Sequence, residues 1–120
     1  MKRDIQLGDK TISFLSNGVT PLFYKQLFGK DLLQTLKSNG EWDIVGDHIP
    51  ELAFILAMQA REGITAADMM KLSFDNYIDW LSQFEALDIT MHGGEITAVY
   101  ISDSIPTSEP KKKGKGKTNA

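Results

Sequence analysis

With 120 residues, 42% of them hydrophobic, the chain is long enough for one domain that buries roughly two-thirds of the surface its unfolded form exposes. No cysteine is present, which excludes a disulfide framework and a thiolate zinc site. The formal charge of −3 hides an asymmetry: residues 1 to 110 hold all 16 acidic and eight of the 13 basic residues, a formal charge of −8, whereas five lysines crowd the last ten positions. An acidic body repels phosphate, which argues against nucleic acid as a partner of the folded part.

The N-terminus MKRDIQLG alternates polar and apolar residues and has no apolar run of the kind a signal peptide carries, so a cytoplasmic protein is expected. Asp4 to Leu15 places Ile5 and Leu7 before Gly8-Asp9 and Ile12 and Phe14 after it. Two short strands joined by a tight turn put all four on one face. Thr20-Pro21 reads as a helix start, with Thr20 as the cap and Pro21 at the first helical position. That helix runs to Phe28, turns Phe23, Tyr24, Leu27 and Phe28 inward, and stops at Gly29. Asp31 caps a second short helix that carries Leu32, Leu33 and Leu36 inward. Glu41 to His48 shows no period and is expected to be a loop.

Pro50 to Glu62, PELAFILAMQARE, is apolar in nearly every helical direction and must therefore be enclosed. It is too short to span a bilayer and is expected to be the central core helix. Thr65 with Asp68 forms a capping box for a helical turn through Lys71. Ser73 starts a further helix, Phe74 to Phe84, whose inward stripe is Phe74, Tyr77, Ile78, Leu81 and Phe84, with Trp80 at its margin. Residues 87 to 101 read either as a hairpin around His92-Gly93-Gly94 or as a helix with Ile96, Val99 and Tyr100 on one face. Helix is the preferred reading. From Ser102 the chain is poor in apolar residues and is expected to be disordered, the lysine-rich end included.

The fold class expected is α+β, mainly α, with an N-terminal β-hairpin packed on a small bundle of four or five helices. Residues 1–103 form the one globular domain and 104–120 the basic tail.

Few motifs carry chemistry. GKGKT near the C-terminus lacks the first glycine of a phosphate-binding loop, since Lys111 stands in its place, and reads as solvated tail. Asp43, Asp47 and His48 have ligand chemistry but read better as surface loop residues than as a metal site. Asp75 and Asp79, one turn apart, read as a solvent face rather than an acid/base pair. No serine or lysine has the context of a nucleophile. No catalytic, cofactor-binding or metal-binding residue is therefore assigned. Among the aromatics, Trp42 in its loop and Trp80 at its stripe margin are expected to be partly exposed, and exposed aromatics on an acidic body suit an interface. Tyr24, Trp42 and Trp80 are the candidate partner-contact residues.

The run Thr20-Pro21-x-x-Tyr24-x-x-x-Phe28-Gly29-Lys30-Asp31-Leu32-Leu33, after a strand pair and before an apolar central helix, resembles the tail assembly chaperones of long-tailed bacteriophages. The likeness is to the group found in phages and prophages of Gram-positive bacteria and extends roughly from Ile5 to Phe84. The resemblance implies a non-enzymatic protein of the host cytoplasm that binds the apolar, helical tape measure protein. It would keep that partner soluble until the tail tube closes around it, and would be absent from the mature virion. The tail tube protein is a second partner the resemblance brings in. Many members also have a longer form made by ribosomal frameshifting, and Lys111 to Gly116 can be encoded by slippery runs of A and G. A small adaptor or regulatory protein of a mobile element is the alternative function.

Overall fold

Breakers set the course of the chain before packing does. In the computed structural model, which describes residues 1–38 and 40–104, Gly8 takes φ +66° and lets the chain reverse at Gly8-Asp9. The strands on either side, β1 (Lys2–Leu7) and β2 (Lys10–Leu15), pair antiparallel with Ile5 opposite Ile12 and Arg3 opposite Phe14. Residues opposite one another share a face. Ile5, Leu7 and Phe14 are accordingly buried and Ile12 is half-buried, as the alternation predicts.

The helix α1 (Thr20–Phe28) keeps Pro21 in its first turn and ends at Gly29, φ +72°, whose N–H bonds the Lys25 carbonyl. Thr20 does not cap it. The residue is fully buried, and its Oγ1 accepts the Asn17 N–H and donates to Gln59 Oε1 at 2.7 Å, while Asn17 Oδ1 accepts the Val19 N–H. Asp31 does cap α2 (Leu32–Leu36), accepting the Gln34 N–H. Only Leu32 and Leu36 turn inward; Leu33 is exposed, since one residue rotates it about 100° from that one-turn pair.

Part of the expected loop is a second, minimal hairpin, β3 (Lys37–Ser38) with β4 (Glu41–Trp42), turned by Gly40 at φ +82°. The core helix α3 is His48–Gln59, two residues earlier at its start and three shorter at its end than expected. Ile49 and every residue from Leu52 to Gln59 are buried. Gln59 is inside because its amide closes a polar cluster, Nε2 donating to Asn17 Oδ1 at 3.2 Å and Oε1 accepting from Thr20. His48 is also buried rather than on a surface loop, and its Nε2–H donates to the Asp43 carbonyl at 2.8 Å.

Two capping boxes start the next elements: Thr65 with Asp68 for α4 (Ala66–Met70), and Ser73 with Asn76 for α5 (Phe74–Leu81). The helix α5 stops at Leu81 rather than Phe84, because Ser82 Oγ and Gln83 Nε2 bond the Asp79 and Trp80 carbonyls that another helical turn would use. A 3₁₀ turn, Thr90–His92, leads into α6 (Gly93–Ser104), so the helical reading of 87–101 holds from residue 90 onward and Ile96, Val99 and Tyr100 are buried. A β-carbon on Gly93 would stand 1.8 Å from the Ile44 carbonyl oxygen, so only glycine lets α6 begin against that loop. Ser102 to Ser104, expected to be disordered, are helical, with Ser102 Oγ bonding back to the Ala98 carbonyl.

The architecture is α+β and mainly α. Among the described residues there are six α-helices, two of only five residues, and two separate two-stranded sheets. The enclosed α3 packs against β2, α1, α5 and α6, and α6 packs in turn on both strands of the first hairpin. Among the described residues no helix is long and apolar enough to cross a membrane. The expected disorder of the lysine-rich end, and its GKGKT run, lie outside the described residues.

Candidate partner-binding surface

Six of the aromatic side chains form one connected series. Tyr24 and Phe28 on α1 have ring centroids 5.2 Å apart, Phe28 stands edge-on to Tyr77 at 5.0 Å, and Tyr77 meets Phe54 at 5.4 Å. Phe54 then meets Trp80 at 5.7 Å, and Trp80 meets Phe84 at 4.9 Å. Pairs at this spacing and tilt add roughly 0.5–1.5 kcal/mol each beyond the area they bury. The series fixes α5 against α3 and α1.

Two of the three residues chosen from sequence belong to that series. Tyr24 is fully buried and its hydroxyl donates to Glu51 Oε1 at 2.7 Å, which Lys30 Nζ also approaches at 2.8 Å. Burial, then the Glu51 carboxylate, pushes the Tyr24 hydroxyl's pKa up, so it remains a neutral donor. Trp80, expected to be partly exposed, is only 7% accessible. A groove of about 460 Å³ beside it is lined by Phe54, Met58, Arg61, Leu72, Asn76 and Asp79, and among the described residues no serine, lysine or histidine lines it.

Trp42 alone of the three is half-open. It sits on the minimal hairpin with Lys37 Nζ 5.3 Å over its ring. With Ile44 and the α6 residues Thr97, Ala98 and Ile101 it lines a shallow, mostly apolar groove of about 480 Å³. The buried Thr97 hydroxyl beside this groove has no hydrogen-bond partner among the described residues.

An exposed apolar row on a single helix lies elsewhere, on residues read from sequence as core, beside scattered exposed side chains such as Leu22, Val45 and Leu87. Phe74 is 57% and Ile78 45% accessible, and they stand one helical turn apart on α5. Leu81 continues the row, half-buried, and the Phe74 ring lies 5.5 Å from that of Tyr77. The reason is angular. From Trp80 round to Ile78 the apolar residues of this helix span about 160° at 100° per residue, more than one side of a helix can press onto a small body. One margin must face water. The indole goes inside, where Phe54 and Phe84 receive it, and Phe74 and Ile78 take the open margin. The breadth of that arc was the signal that could have found them.

Charge borders the row. Asp75 and Asp79 are exposed, each one residue after Phe74 and Ile78. On the inner side Tyr77 has its pKa pushed up to about 12, by burial first and then by the carboxylates of Glu51 and Asp47. Among the described residues no group of three or more His, Cys, Asp or Glu could hold a metal ion. Asp43 and His48 are joined through the Asp43 carbonyl instead. The arrangement offers burial of a partner's apolar surface and electrostatic selection. Comparison with protein-family models, curated proteins and solved structures finds no match for the chain.

Proposed function

We propose that the chain is a tail assembly chaperone of a long-tailed bacteriophage or prophage, acting by binding rather than by catalysis. Its partner is the tape measure protein, which it keeps soluble in the host cytoplasm while the tail tube assembles, and it does not enter the mature virion. The observation that carries this reading is the exposed Phe74–Ile78 row on an acidic body. Burying two such side chains against a partner is worth roughly 1–2 kcal/mol each for the area now open, and the shared negative charge keeps the complexes apart. The resemblance over Thr20 to Leu33 and the core position of α3 support the same reading. A longer frameshifted product belongs to the proposal and is tested by the codons for Lys111 to Gly116.

Co-expression decides it. The tape measure protein encoded with this chain is expected to shift from the insoluble to the soluble fraction and to co-purify with it. If it stays insoluble and no complex is recovered, the chaperone reading fails.

A further inference from the structure

We propose that the Phe74–Ile78 row takes the apolar face of an amphipathic helix whose flanks carry lysine or arginine, with Asp75 and Asp79 as the acidic margin that selects it. This inference rests on the reading of the chain as a binding chaperone and specifies which segments of a partner it would hold.

The occupant follows from the charges. Between residues 61 and 101 the chain has seven carboxylates against two cations, Lys71 and Arg61, and Arg61 shares the groove beside Trp80 with Asp79, so Asp75 is the more open of the two margin carboxylates. On the inner side of the row Lys30 is already paired with Glu51 at 2.8 Å, while Asp47 adds a further exposed carboxylate. A helix laid along Phe74, Ile78 and Leu81 therefore meets carboxylates on the Asp75–Asp79 side, and Asp47 and the paired Glu51 near Tyr77. Acidic flanks on the guest would face like charges, and basic flanks would face opposite ones. A second copy of this chain is disfavoured on the same ground, because it would set the two Asp75–Asp79 rows together. The chain's own end is also a poor occupant: its lysines suit the margin, but between residues 105 and 119 Ile105 is its one aliphatic side chain.

The test uses two synthetic helices of about 20 residues, long enough to be helical in water, sharing one leucine stripe and differing only in lysine or glutamate flanks. Binding to the full chain is read by fluorescence anisotropy, and the contact surface by backbone amide shifts. The lysine helix is expected to bind roughly tenfold tighter at low salt, with the gap narrowing as salt rises. Its shifts should centre on residues 74–81. In an Asp75→Asn, Asp79→Lys variant, whose fold is checked by circular dichroism, the preference should collapse. Equal binding of both helices, no binding of either, a preference untouched by the variant, or shifts centred on the Trp42 groove overturns the inference. The two readings can fail separately. A lysine preference without a tape measure complex sinks only the chaperone assignment, and a tape measure complex without charge preference sinks only this inference.

Discussion

Replacing Trp80 by alanine and, separately, Ile78 by serine tests the rotation of α5, on which the exposed row depends. Trp80 is 7% accessible and its ring meets those of Phe54 and Phe84. Truncating a buried tryptophan costs about 3–5 kcal/mol, the lost transfer energy plus the cavity left behind. Ile78 is 45% accessible, so only about half of the roughly 1.5–3 kcal/mol that full burial of isoleucine contributes is at stake. Serine and isoleucine have similar helix propensity, so the backbone term is small. The expected losses are therefore about 3–5 kcal/mol for Trp80→Ala and about 1 kcal/mol for Ile78→Ser. The folded state of a domain of this size lies only about 5–15 kcal/mol below its unfolded state in free energy. Urea unfolding followed by circular dichroism should show Trp80→Ala with a much lower midpoint and Ile78→Ser close to the parent, both with unchanged slope. Equal losses, or a larger one for Ile78→Ser, would mean that α5 is turned the other way and that the row is core.

Leu56→Asp should abolish the cooperative melt, since Leu56 is fully buried on α3 and an unpaired carboxylate there costs several kcal/mol. Gln59→Leu should cost about 1–3 kcal/mol in chemical unfolding by leaving the buried Thr20 hydroxyl proton without its acceptor, while Asn17 Oδ1 keeps the Val19 N–H, and adding Thr20→Val should restore part of it. Gly93→Ala should lower the melting temperature by several degrees or more, because the new methyl meets the Ile44 carbonyl. For pH, the His92 ring held against Glu95 and, secondarily, Arg3 keep the Glu95 carboxyl below its ordinary 4.5, and the Thr65 backbone N–H keeps that of Asp68 below 3.8. Depressed carboxylates contribute stability above their unfolded pKa and lose it as pH falls through the folded one. Melting temperature should thus decline below pH 4.5, and Asp68→Asn should flatten the lowest part of that decline.

How much was legible depends on whether a signal was local. Asp31, Thr65 with Asp68, and Ser73 each satisfy nearby backbone donors, so α2, α4 and α5 start where their caps stand. The all-round apolar α3 and the alternating first hairpin were equally plain, because their patterns admit one burial each. Thr20 misled because it looks like a cap, yet its hydroxyl is used by Gln59, 39 residues away. Such long-range pairing leaves no local trace. The minimal hairpin was hidden by its two-residue strands, too short to show alternation. The partner surface was the least legible part. A helical stripe names the apolar side chains but not which margin remains open, and that choice is made by the rings of Phe54 and Phe84 closing on Trp80.

The most direct test of the central claim is co-purification of the tape measure protein with tagged parent chain and with a Phe74→Ser, Ile78→Ser variant, at a temperature where circular dichroism shows both chains folded. The account predicts a soluble complex with the parent and a recovery roughly tenfold lower or worse with the variant, whose exposed row has lost its apolar surface. Equal recovery with both chains would contradict it.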